Sequence, residues 1–239
     1  MGSSKRSAGR PSKPVLNREM IAQQALELVI DRGLDSLTMT QLSKKLGVAA
    51  SALYNHVDNK ADLVLLIQDA LVSQVSLKGM LGLIDGEVTL TDALEDWARS
   101  YRAVFANYPS LIPMIAITPV SDAPQTLRMY NVVAQAIMSA GIPDDAVIRV
   151  IVSFESFLFG SALDVNAPSD VLDAGEQSTD SAWLKQAIGA AQAPSEQQQS
   201  TRPHAEALGE VRNAYAEPPF QYGLAALIRQ TLELVEERV

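Results

Sequence analysis

Apolar residues recur every three to four positions through most of this chain, and nowhere alternate for any length as a strand requires. The pattern predicts a first helix over about 18–32, with Ile21, Ala25, Leu28 and Val29 as its inward stripe. Asn17 is placed to cap it and Gly33 to end it. A second helix follows over about 39–46, with Thr38 as its cap and Leu42 and Leu46 facing inward. After Leu46-Gly47-Val48 comes a third, over about 50–56, anchored by Leu53. A fourth runs from Lys60 to about Leu77 behind Asn59, through Leu63, Leu66, Ile67, Ala70 and Leu71.

Gly79, Gly82 and Gly86 make the stretch 79–86 read as a break. Beyond it the spacing predicts helices over about 90–106, 110–116, 121–140, 144–166, 180–192 and 218–238. Pro109, Pro113, Pro119, Gly141 and Pro143 stand between them. Residues 168–217 are otherwise polar and interrupted, which reads as a mobile loop with helical fragments. The fold class is all-α. Its parts are a flexible basic arm (1–14), a small helical domain (15–75) and a larger helical bundle (76–239).

Charge sharpens this division. The net charge is -9, yet residues 1–65 hold nine Lys or Arg against six Asp or Glu. The remainder holds ten against twenty-two. A positive footprint therefore sits on a negative body, an arrangement that admits phosphate only at the footprint.

The paired short helices around Gly47, over about 38–57, have the layout of a helix-turn-helix. In that motif the second helix enters the major groove of duplex DNA. Its outward face needs small or hydrogen-bonding residues, and Ala49, Ala50, Ser51, Ala52 and Asn55 meet that need. Thr38, Thr40, Tyr54, His56 and Lys60 lie at helix starts and ends, in reach of phosphate oxygens. Arg6, Arg10 and Lys13 of the arm are candidates for the minor groove. Lys44 and Lys45 read as a solvated face, and His56 is either structural or a DNA contact.

The run GLDSLTMTQLSKKLGVAASALYNHVDNKADL resembles the DNA-binding domain of the tetracycline-repressor (TetR) family of bacterial regulators. Gly33, Leu37-Thr38, Leu42, Leu46-Gly47-Val48, Leu53-Tyr54, His56-Val57, Asn59-Lys60 and Leu63 carry the resemblance in one register. It implies phosphate contacts for Thr38, Tyr54, His56 and Lys60, and base-edge or sugar contacts around Ala50, Ser51, Ala52 and Asn55. The C-terminal run PPFQYGLAALI is also similar to the last helix of the branch that includes the tetracycline repressor itself. The function implied is a ligand-responsive transcriptional repressor, released from a palindromic operator by a small-molecule effector.

The resemblance also implies a homodimer, and a two-fold dimer is what reading two half-sites requires. Helices 144–166 and 218–238 are the candidate dimer face, one apolar nearly all round and the other carrying Phe220, Leu224, Leu227, Ile228, Leu232 and Val235. The region 97–160 is rich in aromatics and methionines, as an effector pocket is. Trp97, Tyr101, Phe105, Met114, Arg128, Asn131, Phe154 and Glu155 are its candidate residues, although such stripes more often form plain core. Glu155 either faces a ligand or crosses the dimer interface, and Arg102 is a further polar group in need of a partner.

The chain has no cysteine and two histidines. With no Gly-rich phosphate loop and no His-carboxylate cluster, it reads as no enzyme, with no metal and no cofactor. His56 and His204 lie in the DNA domain and the polar loop, which argues against a histidine-held metal–drug complex as effector. No uncharged apolar run of about 18 residues exists to span a bilayer, and the N-terminus lacks the apolar core of a secretory signal. The expected location is cytoplasmic.

Overall fold

A computed structural model describes residues 16–168, 170–172, 181–192, 213 and 215–236. Arg6, Arg10 and Lys13 lie outside the described residues. Helices account for all the regular structure among them, and they form two compact units.

The first unit takes the described residues up to Ala70, together with Pro113–Thr126. Helix α1 spans Arg18–Arg32; the Asn17 side chain accepts from the Met20 N–H at 2.8 Å, and Gly33 ends the helix at φ 78°. A 3-10 turn, Leu34–Ser36, leads to α2 (Met39–Leu46). Thr38 Oγ1 caps α2 by accepting the Gln41 N–H at 3.2 Å. Gly47 turns the chain in the left-handed conformation, at φ 66° and ψ 32°, where a side chain would be strained. Helix α3 (Ala50–Tyr54) follows. Asn55 and His56 leave the helix as a turn, so α3 is two residues shorter than the sequence pattern suggests. Leu42, Leu53 and Val57 close the core with Ile21 and Leu37.

Helix α4 spans Lys60–Val72. It stops about five residues before its expected end, because Gln74 and Val75 form turn hydrogen bonds to Leu71 and Val72 instead. Asn59 accepts the N–H groups of Ala61 and Asp62 at its start.

The second unit takes Leu71–Ile112 and the described residues from Leu127 onward. Where the sequence reads as a break lies helix α5, Lys78–Ile84. Its glycines serve close packing rather than a turn. A Cβ on Gly79 would stand 3.1 Å from the Ala93 Cα and 3.0 Å from the Asp96 Cβ, so a side chain here would press on α6 (Leu90–Ala106). Asp96 Oδ2 accepts the Gly79 N–H at 3.1 Å. A 3-10 turn, Pro109–Leu111, precedes the short α7 (Ile112–Ile115).

Helix α8 (Pro124–Ser139) starts three residues later than expected; α9 covers Asp144–Asp164, α10 Ala182–Gln192 and α11 Glu217–Glu236. Helix α6 packs on α5, α9 and α11, and Trp97, Tyr101, Phe105, Phe154 and Phe220 fill the core between them. By length and composition α9 is apolar enough to cross a membrane, although it holds no uncharged run of about 18 residues. It carries Arg149 and Glu155 within its length and buries one face against α6 and α11, as the central helix of a bundle does.

Candidate nucleic-acid interface and ligand-facing cluster

In the first unit, α3 buries one side chain and presents the rest. Leu53 is fully enclosed, while Ala50, Ser51, Tyr54 and Asn55 are exposed and Ala52 is half-buried. Tyr54 keeps half its surface in solvent, a high share for a tyrosine on a packed helix. Thr38, Thr40 and Lys60 are exposed at the neighbouring helix starts. The structure therefore brings these candidates together around one short helix whose outward face is flat and small.

Its support is rigid. Arg18 of α1 donates from Nη1 to the His56 carbonyl at 2.8 Å, tying the end of α3 to the start of α1. The His56 ring is half-buried. Lys45 pairs with Glu27 and Asp31 of α1, each at 3.3 Å, so it braces α2 against α1, whereas Lys44 is exposed.

In the second unit, three helices converge on one carboxylate. Tyr101 of α6 and Tyr130 of α8 both donate their hydroxyls to Oε1 of Glu155 on α9, at 3.0 Å and 2.7 Å. Burial raises the Glu155 carboxyl above the usual carboxylate range, against the pull of the two phenols, which favour its charged form. Burial, and then the Glu155 charge, push both tyrosines upward as well.

Aromatic rings extend from Tyr101. Trp97 meets Tyr101 edge-on at 5.9 Å and tilts against Phe154 at 5.8 Å, while Tyr101 stacks on Phe105 at 4.7 Å. Phe159 stands edge-on to both Tyr101 and Phe105. Among the described residues the buried Trp97 indole N–H has no hydrogen-bond partner, the kind of orphaned donor that native cores seldom leave.

A family model for the tetracycline-repressor-like C-terminal domain matches residues 84–229, and one for bacterial regulatory proteins of the tetR family matches residues 21–67. The chain belongs to the TetR family. Among TetR-family relatives, it is 26% identical to the transcriptional repressor DrrR1 of Streptomyces coeruleorubidus, over 66% of this chain and 56% of that repressor. The chain thus spans little more than half the length of that relative. It is 29% identical to a transcriptional repressor of Mycobacterium tuberculosis, over 95% of this chain and 85% of the relative. The fold is that of the TetR-family protein ActR of Streptomyces coelicolor in its complex with actinorhodin. The TM-score is 0.64 at 20% identity, over 95% of this chain and all of ActR.

Within this TetR-family architecture, five of the eight candidate effector residues come together: Trp97, Tyr101, Phe105, Phe154 and Glu155. Arg128 and Asn131 are exposed on α8, on the arc away from its buried side chains, and join no part of the cluster. Met114 is half-buried in the segment that belongs to the first unit. Tyr130 is a cluster residue that the sequence reading left out of the site. Its signal is the buried stripe Thr126, Met129, Val133 and Ile137, whose helical spacing places Tyr130 on the inner arc. Arg102 finds its partners within the bundle: Glu217 at 2.6 Å, the Ala216 carbonyl at 2.9 Å and the Phe220 ring at 4.1 Å. It locks α6 to the start of α11 and is spoken for.

Proposed function

We propose that this protein is a transcriptional repressor that holds a palindromic operator as a homodimer and leaves it when a small-molecule effector binds. The observation that carries the reading is the outward face of α3. Small and polar groups, Ala50, Ser51 and Asn55, are exposed along a helix whose single anchor, Leu53, is fully enclosed. Such a face admits close approach to base edges, with Thr38, Thr40, Tyr54, His56 and Lys60 setting register on phosphates.

Two protomers pair through α9 and α11; of the α11 residues expected on that face, Phe220, Leu224 and Ile228 are buried within the protomer, which leaves half-buried Leu227, Leu232 and Val235 to meet the partner. On α9, Ile148 and Val152 are more than half exposed and Leu163 is somewhat less than half exposed. That apolar stripe is better covered by a second copy than left to water. ActR, whose fold this chain shares, forms a complex with actinorhodin, which supports a small-molecule effector in the second unit here. The effector lies against the Tyr101–Tyr130–Glu155 trio and the aromatic rings that extend from Tyr101. Its binding moves the reading heads out of operator register, and a coupling of about 1–3 kcal/mol changes operator affinity roughly 5- to 150-fold. A protein with this task works in the cytoplasm.

A mobility shift with the DNA upstream of its own gene tests this, repeated with a panel of small apolar compounds. The expected result is one discrete complex that a scrambled duplex does not compete away and that at least one compound dissolves. Equal affinity for scrambled DNA refutes the reading.

A further inference from the structure

Glu155 is a carboxylate with no counter-ion. Both phenol protons go to Oε1. Among the described residues, Oε2 accepts no hydrogen bond and no basic side chain lies within ion-pair distance of it. The nearest arginine in sequence to Tyr101, Arg102, is committed to Glu217, Ala216 and the Phe220 face. Through Tyr101 the carboxylate adjoins an aromatic cluster: Trp97, Tyr101, Phe105, Phe154 and Phe159 touch ring on ring.

Aromatic faces attract positive charge, and so does a carboxylate without an ion-pair partner. An anionic ligand would meet repulsion from Glu155. A neutral hydrocarbon would leave the carboxylate's lost hydration uncompensated. Only a cation answers both features at once. One polar demand remains, the buried Trp97 N–H without an acceptor.

We propose that the effector is an organic cation: a protonated amine on an apolar, preferably aromatic frame, its charge against Glu155 and an oxygen or nitrogen acceptor facing the Trp97 indole. This rests on the reading of the second unit as the effector domain, and it specifies the chemistry of that site. The upward displacement of the Glu155 carboxyl by burial agrees with it, because a bound cation supplies the stabilisation the charged form lacks. Tyr101 from α6 and Tyr130 from α8 are the titratable groups facing it, and both act as neutral donors.

Three probes of one shape separate the possibilities: 9-(aminomethyl)anthracene as cation, 9-(hydroxymethyl)anthracene as neutral compound and 9-anthracenecarboxylate as anion. Equilibrium dialysis against the full-length protein at neutral pH should rank the cation first by about tenfold or more. Glu155→Gln, which keeps shape and both phenol bonds, should remove that advantage and leave the neutral probe within about twofold. The chain has two tryptophans, so in a Trp183→Phe background the bound cation should quench the remaining indole, Trp97. Should Glu155→Gln fail to fold, the ranking and the Trp97 quench decide the matter on the unaltered carboxylate.

A neutral or anionic probe binding as tightly as the cation overturns the proposal, as does binding of none of the three or a cation preference that survives Glu155→Gln. The same preparations run on operator DNA tell the two levels apart. Specific DNA binding with no cation preference removes the ligand class alone, whereas absence of specific DNA binding removes the regulator reading beneath it.

Discussion

Asp69 of α4 accepts two hydrogen bonds from Thr126 of α8, from its backbone N–H at 2.8 Å and from its hydroxyl at 3.2 Å. Thr126 lies in the first turn of α8, where backbone donors have no partner within the helix, and its side chain is fully buried. Asp69 therefore caps α8 from a neighbouring helix. The same α4 begins at Lys60, beside α3. One turn further along α8 stands Tyr130, which holds Glu155.

Asp69→Ala should cost about 1–2 kcal/mol, the usual loss for a capping acceptor. Urea unfolding measures it, and Asp69→Asn should recover most of it because the amide oxygen still accepts. In the operator assay, Asp69→Ala should keep DNA binding and lose much of the effector response. An unchanged response would separate this contact from the switch.

Glu155 makes stability depend on pH in a defined sense. Its folded-state carboxyl is raised, so between the unfolded and folded values the native state holds the extra proton. Its contribution is fully present below the unfolded value and is lost as pH rises through the folded one. Glu155→Gln should flatten this part of the curve and melt higher than the parent at neutral pH. Melting temperatures between about pH 4 and pH 8 check the sign; a parent that gains stability relative to the variant as pH rises contradicts it.

Gly79→Ala should destabilise. Overpacking costs about 1–3 kcal/mol, and the obstacle is the backbone of α6, with little room to give. The gain in helix propensity, at most about 1 kcal/mol, is smaller because Gly79 is only the second residue of α5. Gly189→Ala is the control. Nothing lies within 4 Å of its added methyl, so urea unfolding should show no loss.

At the reading head, Tyr54→Ala and Lys60→Ala should weaken binding to operator and random duplexes alike, since phosphate contacts carry no sequence. Asn55→Ala should relax preference at one base pair, worth about 1–3 kcal/mol. Competition binding with single-base operator variants distinguishes the two classes. Equal losses on operator and random DNA for Asn55→Ala would withdraw its base-reading role.

The helix-turn-helix was legible because its determinants are local. Asn17, Thr38 and Asn59 cap the helices they precede, Gly33 and Gly47 adopt positive φ, and Leu42 and Leu53 sit where their spacing puts them. Helix α5 was illegible for the same kind of reason. A glycine that permits close approach and one that permits a turn look identical until the neighbouring helix is in place. The aromatic–carboxylate cluster was half legible. Tyr101 and Glu155 lie 54 residues apart, and helical spacing says which side each faces but not what they meet. Arg128 and Asn131 drew notice as polar residues in an apolar helix, yet they occupy its solvent arc. Tyr130, one position from a buried methionine, makes the contact to Glu155 instead. The partner of Arg102, Glu217, lies 115 residues along the chain, and no local pattern connects them.

The central claim is that α3 reads DNA as one of a symmetric pair. Sedimentation of the purified protein with a fluorescent duplex from upstream of its own gene, at moderate salt, tests it most directly. The account predicts a complex with an even number of protomers, whose formation a palindrome-disrupted duplex cannot support and Asn55→Ala weakens. A single protomer bound to any duplex regardless of sequence would contradict it.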